Sequence, residues 1–231
     1  MRIPFTRFGL PQVLIYPLAV FILMLVLFFV LKPSLVLIPV ELVLFFVLIW
    51  MLSFFRDPSR NINFDEKLLL SPADGTITDI SFVEDGISGA DGVPVRALKI
   101  GMFLSIFNVH INRVPCDVRI EKVTYKKGMF INAMSPDSGR INESNDVLMV
   151  RLNEPKDRLL VRQVSGAIAR HIVCEARENA EYRQGEPFGM IKFGSRTEIY
   201  LPAVHEENIE VKVKIGDKVR AGLTPFVRYA K

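Results

Sequence analysis

The 231-residue chain is poor in side chains that hold soft metals, with two cysteines, Cys116 and Cys174, 58 positions apart, and three histidines. It has no CxxC pair and no His/Cys cluster, which excludes a structural zinc site and a disulfide scaffold; no metal is expected. Both cysteines stand among apolar neighbours and read as small buried hydrophobes. No Walker A loop, GxGxxG turn, HExxH helix or GxSxG elbow occurs, so the usual scaffolds of nucleotide binding, zinc proteolysis and serine hydrolysis are missing. Charge is scarce in the first quarter, where residues 1–55 hold three basic side chains (Arg2, Arg7, Lys32) and one acidic, Glu41. The other 26 basic and 24 acidic residues lie in 56–231. A pI near 9.1 suits nucleic acid, but no basic stripe interleaved with aromatics accompanies it, so no nucleic-acid partner is expected.

Apolar residues are plentiful, at 50% of the chain with a mean hydropathy of +0.28, and disorder is excluded. Val13 to Leu31 is an uncharged run of 19 residues, and Leu35 to Phe55 one of 21 interrupted only by Glu41. At the helical rise these reach roughly 28 and 31 Å, about one hydrocarbon core each. Lys32-Pro33-Ser34 between them is turn material. The first run is too long for a signal peptide and no small-residue cleavage site follows it. The spacing predicts a helical hairpin over 1–55, transmembrane or, given Pro17 and Pro39, shallow and re-entrant. Arg2 and Arg7 flank one end and Arg56 and Arg60 the other, with only Lys32 in the loop, which places both termini and the rest of the chain on the cytoplasmic face.

Residues 56–231 change character after Asp57-Pro58. Short alternating runs follow at 76–80, 93–100, 117–125, 147–152, 159–164, 198–201 and 209–215, separated by Gly, Pro and Asp. Such spacing predicts a mainly β, sandwich- or barrel-like domain. One short turn of helix is expected over 106–112. Gly216-Asp217-Lys218-Val219-Arg220-Ala221-Gly222 resembles the turn of biotinyl and lipoyl half-barrels, so the C-terminal part is expected to be half-barrel-like. No Met-Lys carrier site accompanies it.

Three segments carry polar groups suited to chemistry: Ser71-Pro72-Ala73-Asp74-Gly75, Phe103 to Val118 with His110 and Arg113, and Lys192 to Pro202 with Gly194-Ser195. Each alone is ordinary turn or packing material. In this order, and with the loop GMFINAMSPDSGRINESND over 128–146, they resemble the phosphatidylserine decarboxylase proenzymes in their short membrane-anchored form. The likeness covers essentially all of 56–231.

The resemblance implies a self-processing enzyme. Ser195 Oγ would attack the Gly194 carbonyl, and the ester formed would eliminate to give a β-chain, 1–194, and an α-chain, 195–231, that stay associated. The α-chain would begin with a pyruvoyl group made from Ser195, the covalent cofactor. This would take the amine of phosphatidylserine as a Schiff base and release CO2, leaving phosphatidylethanolamine. A lipid substrate accounts for the anchor. A homo-oligomer is compatible with the family.

Roles transfer one residue at a time. Ser195 matches the nucleophile, Asp74 the aspartate that orients a histidine for cleavage, and His110 the histidine of proton transfer in decarboxylation. Longer relatives carry a second histidine, the cleavage base, where this chain has Arg113, which stays protonated. Either His110 covers both tasks, or another group is the base and Arg113 stabilises the oxyanion. Phe-Gly-Ser-Arg stands where long forms have Leu-Gly-Ser-Thr. Asn142-Glu143 matches a family Asn-Glu-Arg, with Ser144 in place of the arginine. The 132–145 stretch reads as a lid over the head group or a plain surface loop, and His171 and His205 as surface or packing residues. The rival class is a membrane-anchored β-rich adaptor, which has no reason to break the Gly194–Ser195 bond.

Overall fold

The computed structural model describes residues 5–30, 35–88, 93–135, 137–167, 171–192, 194–203 and 209–229. Arg2, the Lys32-Pro33-Ser34 turn and His205 lie outside the described residues. The chain divides into two compact units, Met1–Ser59 and Arg60–Lys231.

The first unit is a pair of packed helices, α1 (Leu10–Val30) and α2 (Leu37–Phe54). A single 3-10 turn, Arg7–Gly9, leads into α1, with the Thr6 hydroxyl accepting the Phe8 N–H. The helix continues past Pro17, and Pro39 falls in the first turn of α2, where a missing N–H costs nothing. Gly9 is needed where it stands, because a β-carbon there would meet the Phe55 ring at 2.4 Å. Arg56 finishes α2 by donating to the Ser53 carbonyl at 2.7 Å. Most large apolar side chains of both helices are exposed, among them Phe29 (78%) and Phe46 (65%). Both helices are long and apolar enough to cross a membrane.

The second unit is mainly β. In chain order its strands are β1 (Leu68–Leu70), β2 (Gly75–Ser88), β3 (Pro94–Leu104), β4 (Ile111–Arg113), β5 (Val118–Lys126), β6 (Ser144–Arg151) and β7 (Arg158–Val164). There follow β8 (Ile172–Cys174), β9 (Glu181–Tyr182), β10 (Pro187–Ile191), β11 (Ser195–Pro202), β12 (Ile209–Val211), β13 (Lys218–Val219) and β14 (Pro225–Tyr229). Eight of them form one curled antiparallel sheet in the order β13-β2-β3-β11-β7-β6-β5-β9. Bulges at Ile77/Asp79 and Ile120/Lys122 sharpen its twist. Two three-stranded sheets, β1-β14-β12 and β4-β10-β8, complete the unit. The period of two sends Ile100, Met102, Val147, Val161, Ile199 and Leu201 into one core.

Two expectations for local structure are corrected. Residues 106–112 form no helix. Asn108 donates back to the Ser105 carbonyl at 2.9 Å, closing a turn, and Ile111–Arg113 then pairs with β10, whose ladder satisfies the backbone groups a helix would have used. The alternating run at 209–215 is strand only as far as Val211, although Val213 still turns inward between exposed lysines. One element was not expected, the short helix α3 (Ser138–Ile141) inside the 132–145 stretch.

Candidate active site

Ser195 opens β11, a central strand flanked by β3 and β7. Its side chain is fully buried, and its hydroxyl has no hydrogen-bond partner among the described residues. The residue before it, Gly194, has φ +69°, a left-handed conformation that glycine takes without strain. Gly194 also reaches the wall of a cavity of about 320 Å³, which Phe103, Ser105, Ile106, Asn132, Ala133 and Ala167 complete. That volume suits a head-group-sized ligand.

His110 lies beneath this point, fully buried. Its Nδ1 is 3.0 Å from the Asn108 carbonyl oxygen, which can only accept, so Nδ1 carries the proton. Nε2 is left as the bare nitrogen and receives the Gly194 N–H at 3.4 Å. The structure therefore brings Gly194, Ser195 and His110 together.

Asp74 and Arg113 have other partners. Asp74 accepts Arg60 Nη2 on both carboxylate oxygens, at 3.0 and 2.9 Å, and the Ala221 N–H at 2.7 Å. None of these bonds goes to His110. The turn that carries Asp74 enters β2, which pairs with the end of β3, which pairs with Ser195. Asp74 is thus two strands across from Ser195, about 10 Å at ordinary strand spacing. Arg60, read from sequence as a membrane flank, is a buried partner of Asp74, with 7% of its side chain exposed. Arg113 donates to the Gly185 carbonyl at 3.0 Å, and its own N–H goes to Pro72.

The layer under Ser195 is tied by amides. Asn112 donates to the Thr197 hydroxyl at 3.0 Å, Gln163 to Asn112 at 2.9 Å and Asn145 to Gln163 at 3.2 Å, all buried. This chain pins β4, and with it His110, onto β11 and its neighbours. On the opposite face Arg196 is held by Glu198 at 2.7 Å, by the Thr78 hydroxyl at 2.8 Å and by Asp79. Burial alone would raise the Glu198 carboxyl, but Lys99 and Arg196 outweigh it and hold the group below the usual carboxylate range. The same contest, with Arg196 and then Lys99 prevailing, lowers Asp79. Gly101 makes room for this cluster, since a β-carbon there would strike both Arg196 and Asp79.

Within the 132–145 stretch, Asn132 and Ala133 form cavity wall. The buried Asn142 amide is spent on the Ile131 N–H and carbonyl and on the Ser165 carbonyl, at 2.9, 2.8 and 2.8 Å. His171 is exposed. Sequence reasoning missed the Asp74 partnership of Arg60 and the Thr197–Asn112–Gln163–Asn145 chain, which join positions far apart in sequence. Buried amides and a buried arginine leave no local pattern by which to find them.

Comparison with known proteins points to one family. The family model for phosphatidylserine decarboxylase matches residues 47–226. A phosphatidylserine decarboxylase proenzyme of Rhodopirellula baltica is 40% identical over 228 residues, 98% of this chain and 89% of its own. That of Carboxydothermus hydrogenoformans is 40% identical over 187 residues, covering 81% and 83%. That of Syntrophus aciditrophicus is 36% identical over 220 residues, 95% of each chain.

Proposed function

The chain belongs to the phosphatidylserine decarboxylase family, and we propose that it cleaves itself between Gly194 and Ser195 and converts phosphatidylserine to phosphatidylethanolamine and CO2 at a membrane surface. The observation that carries this is the buried, unpartnered Ser195 hydroxyl next to a left-handed Gly194, whose own N–H is received by His110 Nε2.

In this reading Ser195 Oγ bonds to the Gly194 carbonyl carbon and gives its proton to His110 Nε2. The Gly194–Ser195 C–N bond then breaks, the nitrogen takes up the proton, and an ester remains. Loss of the residue-195 α-proton expels the Gly194 carboxylate, and water replaces the nitrogen as ammonia, leaving a ketone. The site fits such a group, because Ser195 follows a residue in the cavity wall and is sealed from bulk water. A pyruvoyl group there supplies a carbonyl for the substrate amine and an acceptor for the electrons released with CO2. His110 covers both proton transfers, and Arg113, committed to Gly185, is architectural.

The topology supports association of the two chains after cleavage. The 195–231 piece supplies β11 to the middle of the large sheet, and β12, β13 and β14 as well. The continuous α1 and α2 favour a spanning hairpin with both termini cytoplasmic. Such a tether holds the site at high effective concentration of its lipid.

The test is intact-protein mass spectrometry on the detergent-extracted chain. Two species, 1–194 and a 195–231 piece starting with a pyruvoyl group, are expected, with decarboxylation of phosphatidylserine vesicles. Ser195→Ala should give one intact, inactive chain. A folded wild-type chain that stays whole favours the adaptor instead.

A further inference from the structure

The register of β11 on β7 pairs Arg196 with Val164 and Thr197 with Gln163. Continued by one and two residues, it sets Ser195 opposite Ser165 and Gly194 opposite Gly166. Gly166 bears this out, since a β-carbon on it would lie 2.3 Å from the Gly194 carbonyl oxygen. That atom is backbone and has no rotamer to move away by. The carbonyl under attack therefore occupies the volume that any side chain at position 166 would claim.

Ser165 adds a second, independent observation. Directly opposed residues of an antiparallel pair share a face, with β-carbons about 5 Å apart. Ser165 is fully buried, like Ser195, and its hydroxyl also has no partner among the described residues. A buried hydroxyl left unpaired is costly, so two facing each other at a reactive bond call for a use. Rotation about χ1 brings opposed serine hydroxyls within hydrogen-bond reach.

Resting on the self-cleavage reading, we propose that the Ser165-Gly166 step positions the cleavage reaction. Gly166 seats the Gly194 carbonyl. Ser165 donates a hydrogen bond to the Ser195 oxygen, which leaves the Ser195 proton for His110 and its other lone pair for the carbonyl carbon. Neither residue forms or breaks a bond, and the proton still passes to His110.

The experiment follows cleavage of newly made full-length chain in detergent or vesicles by mass spectrometry, across pH, for wild type, Ser165→Ala, Ser165→Thr and Gly166→Ala. Thermal unfolding of each variant accompanies it. Expected results are a tenfold or greater slowing in Ser165→Ala, recovery of most of the rate in Ser165→Thr, and a loss of about a hundredfold in Gly166→Ala, the scale of a misplacement near 1 Å. The pH profile should keep its shape, because the base is unchanged. Wild-type rates in both Ser165→Ala and Gly166→Ala would overturn the proposal. Equal slowing in Ser165→Ala and Ser165→Thr would remove the hydrogen bond from it. If Gly166→Ala fails to fold, the two Ser165 variants decide. A wild-type chain that never cleaves refutes the underlying reading instead, so the two failures are distinguishable.

Discussion

His110 Nε2 stands 3.4 Å from the amide nitrogen of Gly194, and its other ring nitrogen is locked on the Asn108 carbonyl. The two contacts fix one tautomer and seat its basic nitrogen on the Gly194 N–H, one peptide bond before the Gly194–Ser195 bond. A neutral imidazole with a bare nitrogen is the form a general base must have.

Replacing His110 by Ala should therefore slow cleavage by about a hundredfold to ten-thousandfold, the usual weight of a positioned acid–base group. The fraction of intact chain against time measures it. Processing at the wild-type rate would remove His110 from the cleavage step.

The Arg60–Asp74 pair gives a different signature. Both side chains are nearly buried, at 7% and 11% exposure, and removing one partner of such a pair costs about 3–5 kcal/mol. Arg60→Met and Asp74→Asn should each lower the unfolding midpoint of the β unit, and the double replacement should recover much of the loss. If Asp74 served only to orient His110, Arg60→Met would leave stability untouched.

Arg113→His separates the two readings of that position. The Arg113 guanidinium donates to the Gly185 carbonyl, so the variant should cleave within about twofold of wild type and lose about 1 kcal/mol for the missing hydrogen bond. A tenfold slower cleavage would restore a catalytic part to the arginine.

Acid should weaken the domain through Asp79 and Glu198. Both are held below their ordinary values in the fold, so in the unfolded chain they bind protons at higher pH. Their contribution is fully present above about pH 5, and it fades as pH falls through about 4 toward the lower folded values. The strand circular dichroism midpoint, measured against pH, should drop over that range and do so less steeply in Glu198→Gln.

Cys116 should be inert while the protein is folded. Burial pushes its thiol up to about 12, outweighing the nearby Arg151 charge, and the thiolate is the reactive form. Alkylation at neutral pH should follow unfolding rather than precede it.

The apolar runs of the hairpin and the alternating runs of the β unit were legible because each is set by local periodicity. The Gly194-Ser195 step and His110 were visible as motif residues, and the structure brings them to one place. The 106–112 segment misled because a short apolar run fits a helical turn or a strand equally, and β10, 74 or more residues downstream, decides between them.

Composition, run length and residue order thus sufficed for the two apolar helices, the strand-rich class and the family likeness, all of which depend on neighbours in the chain. Only the tertiary structure could pair Asp74 with Arg60, give Arg113 to the Gly185 carbonyl, and set Gly166 against the Gly194 carbonyl. Strand register and side-chain facing depend on contacts between distant segments, and a one-residue shift of register would send every one of these groups to the other face.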